Sequence, residues 1–158
     1  MIAITHIGLS VPDLDQAIRW YEEVLGFEKI AGPYSFNQKS ENQHNMTNDL
    51  QGQEVRKMRN AHLTCGNQVG LELFEFEEPR RTQVPKGEYD GFFHLCLLVD
   101  DIEEVANQIE AAGGKKTSEM WNTRNGKPYY LQYCEDPFGN ILELYNKSTE
   151  LMYGNKEN

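Results

Sequence analysis

The stretch that decides the fold is THIGLSVPDLDQAIRWYEEVLGF, residues 5–27, because FHLCLLVDDIEEVANQIEAAGG, residues 93–114, repeats its order of features. Each stretch has a histidine near the start of an apolar strand, then an aspartate at a turn, then an amphipathic helix. The two histidines, His6 and His94, lie 88 positions apart. The sequence therefore predicts two copies of one small module.

A second repeat supports this duplication. The segments LELF and LELY each place a glutamate between two leucines, and these glutamates, Glu72 and Glu143, lie 71 positions apart. The first copy therefore holds 17 more residues between its histidine and its glutamate than the second copy does. We assign this surplus to a polar loop within residues 34–58.

Each module is predicted to contain a strand, a helix and then three strands, an α+β arrangement written βαβββ. The predicted domain covers 1–146 and consists of modules 1–76 and 91–146. A proline-containing linker at 77–90 joins them, and a polar C-terminal tail follows at 147–158. We expect the strands to form a curved mixed sheet with the helices packed on one face.

The other face of this sheet carries the candidate site. Successive side chains of a strand point to opposite faces of the sheet. In each of four predicted strands, the apolar side chains lie on one face and a single histidine or glutamate lies on the other. These four residues are His6, Glu72, His94 and Glu143. A lone histidine or glutamate in a strand is more often structural or solvated, but here the same pair occurs twice in the same order. Two imidazoles and two carboxylates suit one divalent transition metal, Zn, Ni, Co, Mn or Fe.

Composition narrows the classes of function. The 158 residues include 15 Lys and Arg against 25 Asp and Glu, and the formal charge of −10 disfavours nucleic acid as a partner. No apolar run reaches the about 20 residues of a membrane span, so no membrane partner is expected. The N-terminus lacks the pattern of a signal peptide, and three cysteines without CxxC spacing favour a reduced, cytoplasmic protein.

With these motifs the chain resembles the vicinal oxygen chelate superfamily, which includes glyoxalase I, methylmalonyl-CoA epimerase, extradiol dioxygenases and bleomycin resistance proteins. The resemblance covers about residues 2–146 and rests on HIGLSVPDLDQAIRWYEEVLGF, LELFEF, FHLCLLVDDIEE and DPFGNILELYN. It implies paired βαβββ modules around a metal, with His6, Glu72, His94 and Glu143 as its ligands. It also implies a small-molecule substrate and a homodimer.

The ligand pattern is most similar to that of bacterial-type glyoxalase I, because family dioxygenases use two histidines and one glutamate. This resemblance implies a lyase or isomerase that transfers a proton next to a carbonyl, with Glu143 as the base and Glu72 as the second candidate. Ser10 stands where glutathione-dependent members tend to have arginine, and Phe76 where they tend to have asparagine. The substrate is therefore expected to be a small α-oxygenated compound or a thiol adduct.

Two other functions stay open at this point. An extradiol ring-cleaving dioxygenase would use Fe or Mn and would not need Glu72 as a ligand. A non-enzymatic small-molecule binding or resistance protein of the bleomycin-resistance type would have an aromatic cleft and no metal.

Five further residues are candidates for binding substrate. Phe74, Phe76 and Tyr145 share the ligand-bearing face, although core packing is an equal alternative. Arg124 and Lys127, in the NTRNGKPYY segment, are candidates to hold a substrate anion, although a solvated hairpin turn is the simpler interpretation.

Structural roles are assigned to several remaining polar residues. His62 and Cys65 lie on one predicted strand with an odd spacing, which puts them on opposite faces. Cys96 shares the face of His94 and could approach the pocket, but a buried, inert thiol is the simpler interpretation. Glu75 falls on the face opposite Glu72 and is not expected to bind metal.

Overall fold

The computed structural model describes residues 1–38, 45–82, 88 and 90–154. The chain divides into two compact units, Met1–Gln83 and Val84–Asn158. The helices and strands of the first unit are β1 (His6–Ser10), α1 (Leu14–Leu25), β2 (Glu28–Asn37), α2 (Met46–Gln51), β3 (Lys57–Thr64) and β4 (Gly70–Glu78). Those of the second are β5 (His94–Leu98), α3 (Ile102–Ala111), β6 (Lys115–Lys116), β7 (Trp121–Asn122), β8 (Tyr130–Glu135), β9 (Ile141–Tyr145) and α4 (Thr149–Tyr153).

The predicted α+β class with βαβββ order is confirmed. The strands form two sheets, one in each unit, where a single curved sheet was expected. The first sheet has the order β1-β4-β3-β2, and the second has the order β5-β9-β8-β6 with β7 paired to β8. In each sheet the histidine strand runs parallel to the glutamate strand, and the other neighbours are antiparallel.

The first unit is built around α1. Asp13 caps this helix, because its Oδ1 accepts a hydrogen bond of 2.9 Å from the backbone N–H of Gln16, and Gly26 ends it in the left-handed region at φ 68°. The apolar side of the helix packs on β2, β3 and β4. Its buried residues are Leu14, Ala17, Ile18, Trp20 and Tyr21.

The second unit repeats this arrangement with α3. Asp101 caps the helix through a hydrogen bond of 3.0 Å from the backbone N–H of Glu104 to its Oδ1. The helix packs on β6, β8 and β9. The turn before β9 is held by Asp136, whose Oδ1 accepts from the backbone N–H groups of Phe138 and Asn140 at 2.9 and 2.7 Å. This turn sets where β9 begins and so places Glu143.

The segment 34–58 contains more regular structure than the polar loop we predicted. Strand β2 continues to Asn37, helix α2 follows, and residues 39–44 of the predicted loop lie outside the described part. Asn48 explains why this segment is regular, because its buried side-chain amide donates hydrogen bonds to Gln38 Oε1 and to the backbone oxygens of Gly52 and Val55. A polar composition therefore did not mean an irregular chain here.

The two predicted boundaries also shift. Strand β4 extends to Glu78, beyond the predicted module end at 76, and of the linker 77–90 the structure describes 77–82, 88 and 90. The segment predicted as a polar tail contains α4, whose Met152 is 1% exposed and packs with Leu131 and Tyr145. Residues 155–158 lie outside the described part. Within the part that is described, no helix has the length and apolar character needed to cross a membrane.

Candidate functional site

The first unit brings His6 and Glu72 together. Parallel pairing of β1 with β4 sets Gly8 opposite Glu72, so that His6, two residues earlier, shares the face of the glutamate. His6 Nε2 lies 3.5 Å from Glu72 Oε2. The Glu72 side chain is only 13% exposed, whereas His6 is half-exposed.

The other oxygen of Glu72 is held by the neighbouring strand β3. Asn60 donates a hydrogen bond of 2.7 Å from Nδ2 to Oε1 of Glu72. His62 is the direct cross-strand neighbour of Glu72, and its Nε2 lies 3.5 Å from the same Oε1. Two side chains of one strand therefore converge on one carboxylate oxygen.

The second unit brings His94 and Glu143 together at the same register. Strand β5 pairs with β9 so that Cys96 stands opposite Glu143, as Gly8 stands opposite Glu72 in the first unit. His94 Nε2 lies 3.2 Å from Glu143 Oε2. Glu143 is 5% exposed, which makes it one of the few buried charged residues in the described ranges.

Two proton-bearing side chains adjoin Glu143. A hydrogen bond to Glu143 and partial burial raise the pKa of the Tyr133 phenol, and Tyr133 is the cross-strand neighbour of Glu143 on β8. Desolvation of the thiol, then the charge of Glu143 and a hydrogen bond to it, raise the pKa of Cys96 to about 12. Cys96 as a whole residue is nevertheless exposed.

Both pairs have donor chemistry that fits a divalent transition metal. Two donors bound to one such ion at its usual bond lengths are about 3.0–3.4 Å apart. The imidazole–carboxylate separations of 3.5 and 3.2 Å are close to this range. No group of three or more His, Cys, Asp and Glu side chains able to hold a metal is found among the residues described. The structure thus shows two pairs of donors, and the set of four stays a prediction.

The aromatic candidates for substrate binding are largely buried. Phe74 and Phe76 are 6% and 4% exposed and pack with Val55 and Met58 in one core cluster. The Phe74 ring also approaches Gly8, where an added Cβ would meet it at 3.3 Å. Core packing accounts for both rings, and their contact with substrate stays a prediction.

The third aromatic candidate, Tyr145, is also part of a core cluster. It packs with Leu131 and Met152, and its hydroxyl group lies 3.1 Å from that of Tyr153. Burial, together with the neighbouring Tyr153 hydroxyl, raises the pKa of the Tyr145 phenol. Packing again accounts for the side chain, and substrate contact stays a prediction.

Arg124 and Lys127 lie in the turn between β7 and β8. The backbone N–H of Lys127 donates to the Arg124 carbonyl at 3.1 Å, and Asn122 Oδ1 accepts from the backbone N–H of Arg124 at 3.1 Å. Lys127 is exposed and lines a shallow depression with Asn122 and Tyr130. These contacts match the solvated hairpin interpretation, and a role in binding a substrate anion stays a prediction.

Sequence reasoning missed three neighbours of the two glutamates: Asn60, His62 and Tyr133. His62 was assigned a structural role because its odd spacing from Cys65 puts the two side chains on opposite faces. Alternation shows which face a residue occupies, but not which residue of the next strand it contacts. The contact of His62 with Glu72 depends on the register between β3 and β4, which alternation does not provide. The 71-position offset was the available signal, because it relates His62 to Tyr133 as it relates Glu72 to Glu143.

Comparison with known proteins agrees with this fold. A family model described as the Glyoxalase/Bleomycin resistance protein/Dioxygenase superfamily matches residues 3–144. A 2-epi-5-epi-valiolone epimerase from Actinomyces is 32% identical over 149 residues, which cover 92% of this chain and 79% of the relative. A lactoylglutathione lyase from Haemophilus influenzae is 30% identical over 154 residues, which cover 96% of this chain and 98% of the relative. A glyoxalase family protein from Bacillus cereus has a similar fold, with a TM-score of 0.72, 19% identity and coverage of 92% and 93%.

Proposed function

Because the chain belongs to the Glyoxalase/Bleomycin resistance protein/Dioxygenase superfamily, we propose that it is a divalent-metal-dependent lyase or isomerase of the glyoxalase I type. Its reaction is a proton transfer next to a carbonyl of a small α-oxygenated substrate or thiol adduct. We propose His6, Glu72, His94 and Glu143 as the metal ligands.

One observation carries this proposal: in each unit an imidazole from the first strand and a carboxylate from the last strand meet at the same strand register. The His6–Glu72 and His94–Glu143 pairs have nearly equal separations, and each glutamate is mostly buried on a strand next to its histidine. Burying a carboxylate is costly unless a cation or hydrogen bonds offset the lost hydration. A divalent cation would offset that cost for both glutamates, in addition to the hydrogen bonds from Asn60 and Tyr133.

A divalent metal held by these residues would polarise a substrate oxygen and so make the neighbouring C–H more acidic. The chain supplies the base. Glu143 is our first candidate, because the phenol of Tyr133 and the thiol of Cys96 lie beside its carboxylate and keep it hydrogen-bonded as its proton is gained and lost. Glu143 takes the proton from carbon on one carboxylate oxygen and returns it to carbon, so the base ends unchanged.

The relatives support proton transfer more than ring cleavage. One is named an epimerase and another a lactoylglutathione lyase. Epimerisation at a carbon next to a carbonyl needs removal and return of a proton, which a metal and a carboxylate can perform. Neither Ser10 nor the buried Phe76 carries a charge for a glutathione carboxylate, so we propose a small α-oxygenated substrate ahead of a glutathione adduct.

The decisive experiment combines metal analysis with deuterium exchange. Purified protein is loaded with Zn, Ni, Co, Mn or Fe and incubated in D₂O with α-hydroxy ketones, acyl-CoA epimers and hemithioacetals of several thiols. We expect about one metal per chain and metal-dependent incorporation of deuterium at the carbon next to the carbonyl. His94→Ala should lose metal, and Glu143→Gln should lose both metal and exchange.

A matched control is Glu119→Gln, which changes an exposed glutamate of the second unit and should leave metal content and exchange unchanged. Full metal content in His94→Ala and Glu143→Gln would contradict the proposal. Oxygen uptake with catechols, retained in Glu72→Gln, would instead indicate a dioxygenase. A metal-free protein that binds small molecules and gains no activity with metal would indicate a binding protein.

We also propose that the protein is a homodimer, on the strength of its family. Light scattering on the purified chain tests this assignment. A mass of one chain at micromolar concentration would contradict it.

A further inference from the structure

We propose that Asn60 and His62 are positioning residues that hold Oε1 of Glu72 and so leave Oε2 as its metal-binding oxygen. This inference rests on the proposed function, because it assigns a role to the partners of a proposed ligand. The contacts of Oε1 would then determine which oxygen of Glu72 faces the metal.

The contacts of Glu72 are divided between its two oxygens. Oε1 accepts the 2.7 Å hydrogen bond from Asn60 Nδ2 and lies 3.5 Å from His62 Nε2. Oε2 lies 3.5 Å from His6 Nε2, the other donor proposed in this unit. A distance of 2.7 Å is at the short end for N–H···O contacts and is typical of a donor facing an ionised carboxylate.

Strand β3 is well placed to keep this arrangement rigid. Asn60 and His62 are two positions apart and so share one face, while Ala61 and Leu63 point to the other face and are fully buried. A slip of one residue would move the two apolar side chains out of the core, which fixes the register strongly. The partners of Glu72 are therefore tied to the core of the unit.

The equivalent positions of the second unit, both within the described residues, carry no such amide. The positions equivalent to Asn60 and His62 are Leu131 and Tyr133, because Asn60 pairs with Phe74 as Leu131 pairs with Tyr145. A leucine side chain cannot donate a hydrogen bond. Glu72 is therefore held by an amide, whereas the hydrogen-bond partners of Glu143 are the phenol of Tyr133 and the thiol of Cys96.

The consequence is a specific effect on metal affinity. A carboxylate ligand whose second oxygen already accepts a hydrogen bond loses less conformational freedom when the metal binds. Loss of the residue that donates this hydrogen bond typically weakens metal binding about 10–100-fold. Asn60→Ala removes the strong donor, and His62→Phe removes the second contact with little change in ring size. His62→Gln keeps an N–H donor and should restore part of the affinity.

The test is a Co²⁺ titration of the full chain by competition with a chelator. We expect Asn60→Ala to weaken Co²⁺ binding about 10–100-fold, His62→Phe to weaken it less, and Thr64→Ala to leave it unchanged. Thr64 is the matched control, because it is the next residue of β3 on the same face and pairs with Gly70 instead of Glu72. The visible absorption of bound Co²⁺, which reports the coordination of the ion, should change in Asn60→Ala and not in Thr64→Ala.

A double-mutant cycle separates positioning from general support of the fold. In a Glu72→Gln background, Asn60→Ala should weaken Co²⁺ binding no further, because its partner has already been changed. Should Asn60→Ala fail to fold, His62→Phe at its partly exposed site and the partial rescue by His62→Gln test the same contact.

The outcomes distinguish this inference from the proposed function. Wild-type protein that binds Co²⁺, with Asn60→Ala and His62→Phe binding equally well, overturns the positioning role and leaves the proposed function standing. Equal losses in the presence and absence of Glu72 also overturn it. Wild-type protein that binds no divalent metal overturns the proposed function, and the positioning role with it.

Discussion

Tyr133 faces Glu143 across the β8–β9 ladder at the same register at which His62 faces Glu72 across the β3–β4 ladder. The two glutamates thus occupy equivalent strand positions in the two units but have different cross-strand neighbours. An imidazole and an amide adjoin Glu72, whereas a phenol and a thiol adjoin Glu143. This difference between equivalent positions supports different roles for the two carboxylates.

Tyr133→Phe should slow turnover without unfolding the protein. The phenol donates a hydrogen bond to Glu143, and its loss removes an orienting partner of the proposed base, so we expect kcat to fall roughly 10-fold. The measurement is kcat and KM for the metal-loaded enzyme on whichever substrate shows exchange. Tyr129→Phe, which removes a phenol hydroxyl of the same hairpin at a side chain packed against Leu131 and Met152, serves as the control. A kcat equal to that of wild type would show that the phenol does not assist the base.

Cys96 should react slowly with iodoacetamide, and Glu143→Gln should speed the reaction. The pKa of this thiol is raised to about 12, first by desolvation and then by the Glu143 carboxylate, so very little thiolate is present at pH 8. Neutralising the carboxylate removes the second cause and lowers the pKa. Mass spectrometry of the Cys96 peptide over time measures the rate. The same rate in both proteins would contradict the influence of Glu143 on Cys96.

Asp15→Asn should destabilise the protein at pH 7 more than at pH 3. Arg59 donates two hydrogen bonds to Asp15, at 2.9 and 3.0 Å, and holds the pKa of that carboxyl below its ordinary value of 3.8. A lowered folded-state pKa contributes stability above the unfolded value, and this contribution is lost as pH falls through the folded value. Because the Asp15 side chain is 51% exposed, we expect less than about 1 kcal/mol.

Urea unfolding of wild type and Asp15→Asn at both pH values measures this effect. Glu23→Gln, on the exposed side of the same helix, is the matched control and should leave the free energy of unfolding unchanged. A difference between wild type and Asp15→Asn that stays constant from pH 7 to pH 3 would show that the Arg59 contact contributes nothing in solution.

Met152→Ala should lower the free energy of unfolding by about 2 kcal/mol, the lower end for a buried methionine because α4 is short. Met152 is 1% exposed and packs with Leu131 and Tyr145 in the second unit. Leu151→Ala, at the exposed neighbouring position, should change stability little. Equal small effects of the two substitutions in denaturant titrations would mean that α4 is not docked.

The part of the fold that followed from the sequence is the part with strong local patterns. The caps at Asp13 and Asp101, the amphipathic helices after them and the alternating strands that carry His6 and Glu143 all have signals within a few residues. Short elements lack such signals. Helix α4 has five residues and only one of them, a methionine, is buried. The polar residues around it therefore give no helical pattern in the sequence.

The candidate site divides in the same way. The pairing of His6 with Glu72 was expected because alternation and duplication both pointed to it. The contacts of Asn60 and His62 with Glu72 required the register of two strands that meet across a turn, and no local pattern encodes that register. Burial of Phe74 and Phe76 likewise depends on Val55, which follows α2 and lay in the segment interpreted as a loop.

The position of the two histidine strands has a consequence for handling the protein. Strands β1 and β5 each lie at the end of their own sheet, with the exposed Ile4 and Phe93 just ahead of them. In each unit an edge strand therefore lies next to exposed apolar side chains, a combination that promotes aggregation. Replacing Ile4 or Phe93 with a charged residue should therefore raise the concentration at which the protein stays dispersed.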